Sequence, residues 1–168
     1  MIMKRSRMRL ALAALALEAC AAASAQAQQP PAGLAFSPFY IAISVGDMDA
    51  MSAFYVDKLG FKVEKDAAMG QALHFRWLTN GAQRVELIQM AGSQPGPARQ
   101  KPPGHLSIRG LSHIGIETPN IEATKAALLA KGVTPAVDIS TLAPLGMKAM
   151  FVVDPEGNAI EIIQRLPG

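Results

Sequence analysis

The apolar positions of this chain change their period several times, and the changes come in the same order twice. From Tyr40, "YIAISV" alternates apolar with small or polar residues, the period-two pattern of a half-buried strand. The period then becomes helical, with Met51, Phe54 and Tyr55 on one face. Asp47 stands ahead of that face as an N-cap, because its side chain can accept from the orphan N–H groups of a first turn, and Gly60 falls where a C-cap glycine would. Three strand-like runs come next, "FKVEKD" (61–66), "ALHFRWL" (72–78) and "RVELIQM" (84–90), the last two joined by a "TNGA" hairpin turn at 79–82.

The order returns from His113. "HIGIE" alternates, Asn120 and Gly132 bracket a helical stretch with Ile121, Leu128 and Leu129 on its apolar face, and strands are expected at 134–139, 147–154 and 159–165. "DPEGN" (154–158) is the last turn, with Pro155 supplying a fixed φ and Gly157 tolerating a positive one. When the halves are aligned, Ile41 meets Ile114, Ile43 meets Ile116, Asp47 meets Asn120 and Ala50 meets Ala123. The expectation is an α+β domain at 38–166 built from two βαβββ modules, 38–91 and 109–166. A Pro/Gly/Ser-rich linker at 92–108 joins them. A single α+β sandwich without symmetry explains the elements but not the repeat.

The repeat carries chemistry. "VELIQ" (85–89) and "IEIIQ" (160–164) each place one carboxylate, Glu86 or Glu161, inside an apolar strand. An isolated ionised carboxylate in such a setting costs roughly several kcal/mol unless it is paired or bound. The first strands contribute Tyr40 and His113 at equivalent positions. If the halves pack about a pseudo-two-fold axis, Tyr40, Glu86, His113 and Glu161 converge on one cleft, where a divalent cation or a polar ligand would neutralise the carboxylates. The plainer alternative is a solvated edge-strand Glu86 and a hydrogen-bonded core His113.

The first 27 residues read differently. Lys4, Arg5, Arg7 and Arg9 precede an apolar run from Leu10 to Leu17 and then small residues, the layout of an export signal with cleavage after Ala25 or Ala27. Residues 28–37 are expected to form a flexible N-terminal segment. The apolar run is too short for a stable membrane span. Cys20, the only cysteine, lies in the signal, and "LEAC" (17–20) loosely resembles a lipoprotein processing site, which gives a lipid anchor as the alternative fate. The signal also holds four of the 16 basic residues and one of the 13 acidic ones, so the remainder has 12 of each and no net charge. That leaves no basic field to attract nucleic acid. The expected location is periplasmic or secreted.

The stretches "YIAISVGDMDAMSAFYVDKLGF" (40–61), "SHIGIETPNIEATKAALLAKGV" (112–133) and "FVVDPEGNAIEIIQ" (151–164) resemble the vicinal-oxygen-chelate superfamily. This superfamily includes glyoxalases, extradiol dioxygenases and bleomycin-resistance proteins. The resemblance covers 38–166. It implies a curved eight-stranded mixed sheet around a cleft, with helices outside. It also implies a divalent metal (Zn, Mn, Ni or Fe) at four positions that fall on Tyr40, Glu86, His113 and Glu161. Tyr40 departs from the His or Gln of glyoxalases, and a neutral phenol is a poor metal ligand. Glu86, His113 and Glu161 are therefore the expected metal ligands, with Glu161 and Glu86 as catalytic carboxylates. His74, Arg76 and Trp77 are further candidates for the cleft, and the remaining histidine, His105, is another, less well placed because it is not on a strand.

The resemblance implies two functions. One is a metal-dependent isomerase or lyase acting on a small substrate with vicinal oxygens. The other is a metal-free protein that sequesters a small molecule, as in the bleomycin-resistance branch; Tyr40 suits stacking and favours it. An extradiol dioxygenase is a more distant third, since its first ligand position is His. The family pairs modules within a chain or between chains, which allows a homodimer.

Overall fold

A computed structural model describes residues 39–168; the signal and the segment after it, expected at 1–37, lie outside the described residues. The first module runs β1 (Ile41–Val45), α1 (Met48–Ala53), β2 (Lys62–Met69), β3 (Leu73–Asn80) and β4 (Gln83–Met90). The second runs β5 (His113–Glu117), α2 (Ile121–Ala130), β6 (Val137–Leu142), β7 (Met147–Val153) and β8 (Ala159–Arg165). The eight strands divide into two four-stranded mixed sheets of matching order, β1-β4-β3-β2 and β5-β8-β7-β6. In each, the first strand pairs in parallel with the last, and the rest is antiparallel.

Local chemistry explains the elements. Asp47 Oδ1 accepts from the Asp49 and Ala50 amides at 3.1 and 2.9 Å, and Asn120 Oδ1 from the Ala123 amide at 2.9 Å, so both expected N-caps form. Gly60 and Gly132 take φ of 74° and 78°, the left-handed conformation that ends a helix and that a side chain would strain. Between cap and glycine the first module has one residue more than the second. The extra residue is absorbed by a π-helical turn at Phe54–Lys58 that continues α1.

Several boundaries differ from the sequence reading. β2 extends to Met69, because Ala67 to Met69 keep pairing with Leu73 to Phe75 up to the turn. β6 starts at Val137 rather than 134, since Pro135 has no N–H to give a ladder. Leu129 is 47% exposed, on the flank of α2 rather than its buried face.

One core joins the modules. Ile43, Val45, Met51, Tyr55, Leu78 and Leu87 from the first module and Ile121, Leu128, Met150, Ile160 and Ile162 from the second belong to a single buried cluster. Strand alternation therefore sends Ala42, Ser44 and Glu86 to the other face of the first sheet. Polar bonds also cross between modules. Tyr55 donates its hydroxyl to buried Asp154 at 3.3 Å. Lys58 Nζ reaches the Lys131 carbonyl at 2.7 Å while Lys131 Nζ reaches the Lys58 carbonyl at 3.3 Å. Two equivalent helix ends thus bind each other reciprocally, as a pseudo-two-fold arrangement requires.

Candidate functional site

Glu86 and Glu161 occupy the same niche in the two sheets. Glu86 lies between Ala42 on β1 and Trp77 on β3, and Glu161 between Gly115 on β5 and Phe151 on β7. Each carboxylate thus has a small residue on one side and an aromatic ring on the other. The ring determines each carboxylate's partner. Trp77 carries an indole N–H and donates it to Glu86 Oε1 at 2.7 Å. Phe151 has no donor, and Glu161 turns instead to His113, its Oε2 3.3 Å from His113 Nε2.

Around Trp77 the first sheet adds cations. Lys65 Nζ stands 5.2 Å and the Arg84 guanidinium 4.7 Å from the ring centroid, within the range of cation–π attraction. Around His113 the second module adds imidazole. His105, on a short 3-10 turn at Gly104–Ser107 in the linker, places Nε2 3.3 Å from His113 Nδ1, and the Ser112 hydroxyl lies 3.0 Å from the same nitrogen. His105, His113 and Phe151 pack edge to face, with centroids 5.4 to 5.5 Å apart. His105 is buried, and burial, then the neighbouring His113, holds its ring below the usual imidazole value. The arrangement is a file of Glu161, His113 and His105 that can hold or pass a proton along one wall.

The remaining candidates separate from these groups. Tyr40 precedes β1 and is 49% exposed. His74 and Arg76 share the face of β3 that carries buried Leu78, opposite to Trp77. They bind Asp66, and Arg76 also reaches Asp49 on α1 at 2.9 Å. Sequence reasoning names His105 as a candidate for the cleft but gives it no position there, because it lies outside the repeat. The Pro/Gly-rich linker around it has no period from which to place it.

A cavity of about 680 Å³ opens beside His113, walled by β1, by linker residues 93–99 and by the turn leading into β8. A second, of about 300 Å³, adjoins it and is lined by His105; the two share Gly96, Arg99 and Ser112 among their walls.

Two βαβββ modules over a shared core, with a histidine–carboxylate pair at a cavity, define a paired-module α+β fold. The chain matches the model of the Glyoxalase/Bleomycin resistance protein/Dioxygenase superfamily over residues 38–162 and belongs to that superfamily. Among solved structures it is similar to a glyoxalase family protein from Enterococcus faecalis, with 27% identity and a TM-score of 0.59 over 77% of this chain and 96% of that one. It shares its fold with TnmS3, an antibiotic binding protein from Streptomyces sp. CB03234, at 21% identity and a TM-score of 0.60 over 79% and 99% of the two chains. The fold is also that of the trypanothione-dependent glyoxalase I of Leishmania major, at 23% identity and a TM-score of 0.52 over 73% and 82%. Comparison with curated proteins finds no match.

Superfamily members commonly use divalent metals. Here the 3.3 Å between His113 Nε2 and Glu161 Oε2 suits two donors on one cation, at bond lengths of about 2.1 Å. Glu86 does not join them, being held by Trp77. Among the described residues no group of three or more His, Cys, Asp or Glu side chains is arranged to hold a metal. The expected ligands Glu86, His113 and Glu161 are not gathered into one such group among the described residues.

Proposed function

We propose that this chain binds a small molecule in the 680 Å³ cavity, with His113 and Glu161 as the polar pair that fixes or protonates it. The observation that carries this reading is the division of the two carboxylates. Glu86 takes the Trp77 indole N–H at 2.7 Å, while Glu161 is paired with an imidazole that lines the cavity. The volume lies within the usual range for small-molecule pockets, roughly 300–1,000 Å³. The signal-like layout of residues 1–27 supports an exported protein that meets its ligand outside the cytosol. Intact mass of the chain from its native export route should correspond to a start at Gln26 or Gln28; a full-length mass or a lipidated Cys20 would overturn export in that form.

A second reading is a metal-dependent isomerase or lyase acting on vicinal oxygens, favoured by the ligand-like spacing of His113 and Glu161. Under it a homodimer would bring a second copy's first module against that pair. Thermal melting of the purified protein separates the two readings, using Mn²⁺, Zn²⁺, Ni²⁺ and Fe²⁺ in one arm and a panel of neutral aromatic and oxygen-rich molecules in the other. A ligand binding only the native state adds about 2.7 kcal/mol at a hundredfold excess over its Kd. The first reading expects stabilisation in the second arm, lost in His113→Ala and Glu161→Gln. Saturable stabilisation by a divalent cation, removed by chelator and by Glu161→Gln, would replace it with the second.

A further inference from the structure

The smaller cavity has a chemistry of its own. Its walls carry two arginines, Arg99 and Arg109, together with Gln100, Ser112 and His105, and no Asp or Glu. Neither guanidinium makes an ion pair or side-chain hydrogen bond among the described residues, although Asp49, Glu64, Asp66, Glu117, Glu122 and Asp138 are each paired to a Lys or Arg elsewhere. His105 is only 8% exposed, uses Nε2 toward His113, and leaves Nδ1 buried with no hydrogen-bond partner. The Pro103 carbonyl lies near enough to favour a charged ring slightly, but at a geometry short of a hydrogen bond. A buried polar nitrogen without a partner is unfavourable, and few native structures carry one without a reason.

We propose that the 300 Å³ cavity is an oxyanion subsite, in which the exposed Arg99 and Arg109 receive the carboxylate or phosphate end of a small molecule. Guanidinium forks match the two in-plane oxygens of either group, and the absence of a competing carboxylate leaves them available. The subsite adjoins the larger cavity across the shared wall of Gly96, Arg99 and Ser112. Resting on the binding function proposed above, it assigns the ligand a class: an anion whose charged end is held at the linker while its body extends toward His113. The exposed apolar side chains of Ile108 and Leu111 on the same wall give that body an apolar surface to cover.

The test is titration calorimetry of the full protein at low ionic strength with inorganic phosphate and with succinate, each against NaCl at matched ionic strength. Saturable binding of one or both is expected, weakened at least tenfold in Arg99→Ala and in Arg109→Ala and unchanged in Arg165→Ala, an exposed arginine that lines neither cavity. The tighter of the two anions assigns the source, a phosphate ester or a carboxylic acid. No heat beyond the NaCl control, or equal affinity in parent and both arginine variants, would overturn the subsite. If the neutral panel still stabilises the protein while both anions fail, the subsite falls and the binding function stands. If the anions bind through the arginines while the neutral panel fails, the subsite stands without that function.

Discussion

Trp77 is the residue on which the first sheet's chemistry turns. Its N–H to Glu86 is charge-assisted and partly shielded, the kind of bond worth about 1.5–3 kcal/mol before solvent exposure reduces it. Trp77→Phe should therefore lower the unfolding free energy by about 1–2 kcal/mol in urea denaturation. Glu86→Gln, which keeps a carbonyl acceptor for the indole, should cost under about 1 kcal/mol. Asp66 makes a separate prediction in acid. The hydrogen bond from His74, then those from Arg76, hold its carboxyl below the ordinary 3.8, with slight burial opposing. A depressed carboxylate contributes stability that is present above its unfolded value and lost as pH falls through the folded one. Asp66→Asn should thus lose less stability than the parent between about pH 5 and pH 2, while being the less stable of the two at about pH 7, read by melting across that window. At this scale the candidate site was half legible. A repeated Glu in an apolar strand pointed to two equivalent carboxylates, and the two occupy matching strand positions. Their separation was written in one further letter, Trp77 against Phe151, because only one of those rings can donate.

The elements were easier to read than the site because caps and periods are local. Asp47 and Asn120 satisfy first-turn amides as their side chains dictate, and either one replaced by Ala should cost about 1 kcal/mol of stability, within a range of about 0.5–2, by chemical denaturation. The π turn at Phe54–Lys58 was not legible as such. The only trace is the one-residue difference between the two cap-to-glycine spans, and length alone does not say where a helix will take up the slack. Strand ends moved by up to three residues for similar reasons. A ladder continues while partners last, as at Met69, and starts late where a proline withholds its N–H, as at Pro135. The linker carried no period, so His105 could be named as a candidate but not placed.

Across the whole molecule, the modules are tied by Tyr55 and Asp154 as well as by the common apolar core. Asp154 accepts from the Glu156 and Asn158 amides and the Asn158 side chain as well as from Tyr55, yet burial pushes its carboxyl up, and burial with the nearby Asp154 charge pushes the Tyr55 phenol far above its normal value. Tyr55→Phe removes one of four donors and should cost about 1 kcal/mol. Asp154→Asn turns an acceptor into a donor facing the Asn158 amide, so it should cost more, about 2–3 kcal/mol. A double-mutant cycle by urea unfolding should return a non-zero coupling between positions that lie 99 residues apart in sequence. The two-module plan itself was legible because the same order of periods occurs twice. How the modules meet was not, since Tyr55 to Asp154 and Lys58 to Lys131 are contacts that no local pattern encodes.

A chain built from two copies of one plan also carries spare parts. Position 40 and position 113 are the same place in that plan, yet His113 is woven into Glu161, His105 and Ser112 while Tyr40 stands half in solvent. One copy can keep a task while its twin drifts, so the halves need not change in step. In a saturation library selected for folded protein, position 40 should accept nearly any residue, whereas position 113 should not. Such lopsided tolerance between twin positions is the mark that duplication leaves on a molecule.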